Sequence, residues 1–145
     1  MRSPEPGGRT AVTQLFIVTA ALETGAGLVL LLAPALVITL LSGPAANAFP
    51  ATAMARLTGA ALLSLGAGCW WARGDERSVA SRALVRAMLL YNAAVVALLL
   101  FGSFGPLGPP LWAVVVIHGA MATWCARSLP VRAVSEHVQA GGRGM

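Results

Sequence analysis

The stretch VTQLFIVTAALETGAGLVLLLAPAL, residues 12–36, is a long apolar run with a single charged residue, Glu23. A helix needs about 20 apolar residues to cross the hydrocarbon core of a bilayer, so this run is long enough for a membrane span. It is too long, and too polar at Glu23, for the apolar region of a cleaved signal peptide. Because proline disrupts a helix interior, Pro34 is expected to kink or end the span, leaving an extension or an interfacial turn after it.

The chain as a whole is too apolar for a soluble globule. Of its 145 residues, 57% are hydrophobic and 10% are charged, and the mean hydropathy is +0.77. A soluble protein of this size needs more polar surface. Three further apolar segments are separated by loops rich in Gly and Pro or by a charged turn. The sequence therefore predicts an all-α fold, one integral membrane four-helix bundle over residues 1–145, with spans at residues 12–36, 51–72, 83–104 and 107–126 and tails at 1–11 and 127–145.

The arginines predict the orientation. All ten cationic residues are arginine, and nine of them precede the first span, surround the charged turn at residues 73–78 or follow the last span. Cytoplasmic loops carry an excess of basic residues, so both termini and the charged turn are predicted to lie in the cytoplasm. The absence of lysine, together with the high Ala and Gly content, is typical of a GC-rich bacterial genome. The expected location is a bacterial cytoplasmic (inner) membrane. Topology and lipid headgroups account for the basic residues, so no nucleic-acid partner is expected.

Two short sequences at the predicted cytoplasmic ends resemble each other. CWWAR, residues 69–73, closes the second span, and TWCAR, residues 123–127, closes the fourth. Trp and Arg both favour the membrane interface, so the similarity has two explanations, a duplicated helical hairpin or convergence on the same interface chemistry. The two cysteines lie on the reducing side, which excludes a structural disulfide and favours a role as small apolar fillers.

Four polar residues, one in each apolar segment, indicate where the interior is polar: Glu23, Arg56, Asn92 and His118. A charged side chain at the bilayer centre costs about 2.5 to 3.5 kcal/mol, so such residues face the bundle interior and find partners. We expect these four residues to line one cavity that opens toward the outer leaflet. Glu23 and His118 are the candidate catalytic acid and base, and Arg56, Tyr91 and Asn92 are the candidate ligand-binding residues.

Each of these residues also has a structural interpretation. Glu23 and Arg56 are expected to be near neighbours and to form an ion pair, or Arg56 extends to the outer headgroups. His118 is as well explained by a hydrogen bond between helices, and Tyr91 and Asn92 by helix packing. No second His or Cys stands at ligand spacing, and no Gly-rich phosphate loop is present, so neither a metal nor a cofactor is expected. In the second segment, small residues four apart predict a close helix contact along Ala60, Ser64 and Gly68.

Two resemblances add to this interpretation. ARLTGAALLSLGAG, residues 55–68, and LLYNAAVVALLL, residues 89–100, within a four-span pattern, resemble the small bacterial four-helix membrane families called DoxX-like. That resemblance implies the architecture. AALETGAGL, residues 20–28, resembles the first helix of small multidrug resistance transporters, where a membrane-embedded glutamate exchanges protons for cationic drugs. Only Glu23 matches that pattern, and Arg56 would compete with a cationic substrate.

Two classes of function follow from the sequence. In the first, the protein binds or converts a lipophilic small molecule in a polar pocket within the helix bundle. In the second, it is a non-catalytic membrane subunit or a proton-coupled small transporter, in which the same residues hold helices together or relay protons. The lipid bilayer is the partner common to both classes, and a homo-oligomer or a membrane partner subunit is compatible with either.

Overall fold

The computed structural model describes residues 6–43, 46, 48–75, 78–102 and 108–129, with side chains from residue 11 onward. Within these ranges the chain is helical and contains no strand, which confirms the predicted all-α class. The described helices are α1 (Pro6–Leu32), α2 (Pro34–Ser42), α3 (Phe49–Ala72), α4 (Val79–Phe101) and α5 (Pro109–Ser128).

The first apolar run divides at the proline. Ala33 leaves the helical conformation, with φ −133° and ψ 52°, and Pro34 occupies the first turn of α2. Proline is tolerated there because its missing N–H would have no partner in the helix. The short helix α2 ends at Gly43, whose φ of 86° lies in the left-handed region that glycine adopts without strain.

Helix α4 begins four residues before its predicted span. The sequence placed the start of that span after Arg82, but the hydroxyl of Ser78 accepts a hydrogen bond from the backbone N–H of Ser81 and caps the helix at Val79. An N-cap of this kind satisfies one of the free N–H groups of the first turn, so the charged residues become part of the helix. Two prolines, Pro109 and Pro110, begin α5 in the same way as Pro34 begins α2.

Three helices are long and apolar enough to cross a membrane: Ala11–Leu32 within α1, Val79–Phe101 and Pro109–Ser128. This supports a multi-pass membrane protein. Helix α3 is not one of the three, although its 24 residues would extend about 36 Å. Its apolar character is reduced by Arg56 and by several Gly, Ser and Thr residues. The structure therefore supports several membrane spans, and the four-span bundle stays a prediction.

The long helices pack as two antiparallel pairs, α1 with α3 and α4 with α5, and α1 also contacts α5. The buried core lies where α1 and α4 begin and where α3 and α5 end, which is the predicted cytoplasmic side. At the same end, the hydroxyl of Thr13 donates a hydrogen bond to the carbonyl of Arg73, with an O–O distance of 3.2 Å. The buried core cluster contains Leu15, Phe16, Ala20, Cys69, Val85, Met88, Met121 and Cys125.

Glycines bring α1 and α3 into close contact. A Cβ atom added to Gly59 would lie 2.7 Å from the carbonyl oxygen of Gly27, and the reverse substitution gives the same distance. Only residues without a side chain allow two helix backbones to approach so closely. The predicted contact along Ala60, Ser64 and Gly68 is wrong: the first two are exposed, and an added Cβ at Gly68 would meet no atom within 4 Å. The contact lies on the neighbouring face of α3.

A candidate polar cavity between the helix pairs

A cavity of about 210 Å³ lies between the two helix pairs. Helices α1, α4 and α5 supply nearly all of its lining, and α3 contributes one leucine. Most of the lining is aliphatic, so the few polar groups determine what the cavity can bind. It is lined by Thr19, Leu22, Glu23, Ala26, Leu62, Tyr91, Asn92, Val114, Ile117, His118 and Met121. Four of the five residues selected from the sequence are therefore brought together here.

The polar residues of the cavity lie at one level of the bundle. Glu23 is nine residues before the end of α1 at Leu32, and Asn92 is nine residues before the end of α4 at Phe101. His118 is nine residues after the start of α5 at Pro109. At the helical rise per residue, each lies roughly 13 to 14 Å from the same end of the bundle. Helix register therefore places the three side chains in one layer.

The Asn92 side chain holds the ring of His118. The Asn92 Nδ2 donates to the Met88 carbonyl at 2.7 Å, and its Oδ1 lies 2.8 Å from the His118 Nδ1. A carbonyl only accepts hydrogen bonds, so the NH₂ group of the amide must face Met88 and its oxygen must face the imidazole. It follows that Nδ1 of His118 carries the proton. In the neutral ring the other nitrogen, Nε2, is then an acceptor.

Tyr91 lies beside the same imidazole. Its ring centroid is 5.6 Å from that of His118, and the two ring planes meet at 81°, an edge-to-face arrangement. Aromatic pairs favour this geometry because the positive edge of one ring meets the negative face of the other. With the Asn92 hydrogen bond, this contact restricts the imidazole from two sides. Tyr91 thus contributes to the orientation of His118 and also lines the cavity.

Helix α1 presents two polar side chains without hydrogen-bond partners, one turn apart. Thr19 is 1% exposed and Glu23 is 7% exposed. The Thr19 hydroxyl has no hydrogen-bond partner, and no described residue forms a hydrogen bond or an ion pair with the carboxyl group of Glu23. Buried polar groups are usually paired, so the unpaired Thr19 hydroxyl, next to a carboxyl group without an ion-pair partner among the described residues, requires an explanation.

Arg56 was expected in the cavity but lies outside it. It lies on an exposed face of α3 and is absent from the cavity lining. Among the residues with described side chains, no ion pair joins it to Glu23. The expected Glu23–Arg56 ion pair is therefore not formed, and Arg56 does not contribute to the lining of this cavity. Arg56 lies to one side of the buried face of α3, which runs through Gly59, Leu62, Gly66 and Cys69.

Thr19 is the functional candidate that the sequence analysis did not select. Its spacing of four residues from Glu23 was the available signal, since residues four apart lie on the same helical face. The two cysteines are free and fully buried, and the Cys69 sulfur lies 3.6 Å from the sulfur of Met88 in the core below the cavity. Within the described part of the chain, no group of three His, Cys, Asp or Glu side chains could hold a metal ion.

The cavity combines hydrogen-bond acceptors from two sides. Glu23 and Thr19 belong to one helix pair, and His118 with its supports Asn92 and Tyr91 belongs to the other. A carboxyl group and an imidazole acceptor on either side of an apolar space can bind one polar group or move a proton to or from it. No family model, no curated protein and no solved structure matches this chain. The DoxX-like resemblance stays a prediction.

Proposed function

We propose that this membrane protein binds a small lipophilic molecule in the cavity between its two helix pairs. The observation that carries the proposal is the buried, unpartnered hydroxyl of Thr19, one helical turn from the carboxyl group of Glu23, in a cavity whose lining is otherwise mostly aliphatic. Leaving a buried polar group without a hydrogen bond costs about 1 to 3 kcal/mol. A bound molecule that supplies the missing partners would offset that cost, whereas a purely structural role leaves it uncompensated.

The polar groups define the ligand in outline. The carboxyl oxygens of Glu23 and the His118 Nε2 accept hydrogen bonds, and the Thr19 hydroxyl both donates and accepts. A matching ligand therefore carries at least one hydrogen-bond donor, such as a hydroxyl or an amine, on an apolar body that fits aliphatic walls. The outer-leaflet end of the bundle is the proposed route of entry, in a bacterial inner membrane with both termini in the cytoplasm.

Conversion of the bound molecule is an extension of the same proposal. Glu23 and His118 come from different helix pairs and line the same cavity, so a group bound between them would meet a carboxyl on one side and an imidazole on the other. Because Asn92 fixes the imidazole tautomer, His118 would take a proton from the bound molecule as a base through Nε2, and a protonated Glu23 would return one proton to it as the acid.

One observation favours proton-coupled transport as a second candidate. The sequence argued against it because Arg56 would compete with a cationic substrate, but Arg56 is exposed and does not line the cavity. A carboxyl group in an apolar cavity without a cationic partner can alternate between binding a proton and binding a cation. In this function Glu23 is the coupling residue, and His118 and Asn92 contribute only helix packing.

Matched variants test the binding proposal. Protein purified in mild detergent would be extracted, and the co-purified molecules compared by mass spectrometry. Glu23→Gln and Thr19→Val are expected to reduce the amount of one lipophilic species. Arg56→Gln and Thr123→Val are the controls, since both change exposed residues outside the cavity. Identical extracts from all four variants would contradict the proposal. Proton uptake that depends on Glu23 and on an added cation, with no retained molecule, would favour transport.

A further inference from the structure

A second concavity, separate from the polar cavity, lies on the outer face of the α1–α3 pair. It has a volume of about 720 Å³ and shares no lining residue with the polar cavity. We call it the α1–α3 groove. Its lining is almost entirely apolar and consists of Ile17, Ala20, Ala21, Thr24, Gly25, Leu28, Leu63, Gly66, Ala67, Trp70 and Trp71.

The groove exists because small residues coincide on both helices. Ala20, Ala21 and Gly25 on α1 lie opposite Gly66 and Ala67 on α3, so no long side chain fills the space between the helices. An added Cβ at Gly25 would meet no atom within 4 Å, which confirms that this position borders open space. Larger side chains, including Leu28 and Leu63, form the walls. The result is a shallow groove, with small residues along its base, on a surface that faces lipid.

The length of the groove matches one leaflet. Along α1 it extends from Ile17 to Leu28, which are eleven helical steps apart. This is about 16 Å at the helical rise, roughly half of the 30 Å hydrocarbon core. One end lies at Trp70 and Trp71, near the end of α3, and the other lies at Leu28, four residues before the end of α1. An acyl chain of a single leaflet therefore fits along it.

A cationic side chain stands at the tryptophan end. The guanidinium of Arg73 lies 3.7 Å from the centre of the Trp70 ring, and its Nη1 donates to the Trp70 carbonyl. No described acidic side chain forms an ion pair with it. From Arg73 to Arg86 the sequence contains four arginines and two acidic residues, so the local charge is positive. Basic sites next to cytoplasmic helix ends favour anionic lipid headgroups.

We propose that the α1–α3 groove binds one anionic phospholipid from the leaflet at the Arg73 end. An acyl chain fills the space over Gly25 and Ala67, and the phosphate is held by the Arg73 guanidinium. The indole of Trp70 forms the boundary between the two regions, since its ring is apolar and its N–H lies at headgroup depth. The site is independent of the polar cavity and of the function proposed for it.

The test uses native mass spectrometry of delipidated protein in detergent. The protein would be titrated with phosphatidylglycerol and, separately, with phosphatidylcholine of the same acyl chains. Gly25→Leu places a side chain in the groove without meeting any protein atom near its Cβ. The leucine occupies space that the acyl chain would fill, and the loss of packing contacts should make this variant bind both lipids about tenfold more weakly. Gly68→Leu is the matched control on α3, because Gly68 also borders open space and lies outside the groove.

The headgroup is tested separately. Arg73→Gln should abolish the preference for phosphatidylglycerol over phosphatidylcholine while leaving acyl-chain binding in place. Binding to Gly25→Leu that equals binding to the unchanged protein would overturn the groove as the site. Equal affinity of the unchanged protein for the two lipids would overturn the anionic headgroup. Because no variant alters a residue of the polar cavity, these outcomes are separate from the test of the proposed function.

Discussion

The imidazole of His118 and the side-chain amide of Asn92 form a hydrogen bond between α5 and α4, with 2.8 Å between Nδ1 and Oδ1. The amide is itself fixed by its bond to the Met88 carbonyl one turn earlier. The chain of contacts runs from a backbone carbonyl, through an amide, to a ring nitrogen. A backbone group that cannot change its hydrogen-bonding role thereby determines which nitrogen of His118 carries the proton.

Replacing Asn92 with Leu should therefore release the imidazole. In ¹⁵N NMR of the labelled protein, His118 is expected to be predominantly Nδ1-protonated, and Asn92→Leu should shift it toward a mixture of tautomers. Hydrogen bonds between membrane helices contribute about 0.6 to 1.7 kcal/mol, so a double-mutant cycle with His118→Leu should give a coupling free energy in that range. An unchanged tautomer signal in Asn92→Leu would show that another group sets it.

Glu23 and Arg56 should behave as independent residues. Since Arg56 is exposed and does not line the cavity that contains Glu23, their replacements by Gln are expected to be additive, with a coupling below about 0.5 kcal/mol. The measurement is the free energy of unfolding of the two single variants and the double variant in detergent. A coupling near the 3 to 5 kcal/mol that is typical of a broken buried ion pair would restore the pairing expected from the sequence.

The contact between Gly27 and Gly59 should tolerate no side chain. In Gly59→Ala the new Cβ would lie 2.7 Å from a backbone carbonyl, so the helices must separate. Overpacking of this kind costs about 1 to 3 kcal/mol. Gly68→Ala is the control, since it adds the same methyl group in the same helix where nothing lies within 4 Å. Equal melting temperatures for the two variants would mean that α1 and α3 do not meet at this point.

Reporter fusions decide whether α3 crosses the membrane. A fusion at Ala46 should read periplasmic and a fusion at Asp75 cytoplasmic, because the arginines surround the second position and not the first. A fusion at Gly108 should agree with Ala46, and one at Met145 should agree with Asp75. If α3 does not cross, Ala46 and Asp75 will report the same side, and the four-span topology must be abandoned.

The positions of the helices were largely predictable, because proline and glycine mark their ends in the sequence. The break before Pro34 and the prolines that begin α5 are local signals of this kind. The start of α4 was less predictable, since a cap at Ser78 outweighed the polarity of Arg82. Hydropathy reports which residues favour lipid, but a capped first turn can lie outside the hydrocarbon and still be helical.

The rotation of α3 was not predictable from one sequence. Two sets of small residues run along this helix, one through Gly59 and Gly66 and one through Ala60, Ser64 and Gly68. Periodicity alone does not distinguish them. Facing residues on α1, above all Gly27, make the first set the contact. For Glu23, Asn92 and His118 the sequence offered only one polar face each, so their grouping was easier to predict.

The division of the cavity between two helix pairs has an energetic consequence. Glycine contact holds α1 against α3, and a hydrogen bond joins α4 to α5, but between the pairs the structure relies on a buried cluster at one end. A molecule that contacts both Glu23 and His118 binds only while the pairs are together. By mass action its binding free energy then adds to the stability of the assembled fold. Ligand binding in the cavity and association of the two helix pairs are thus thermodynamically coupled.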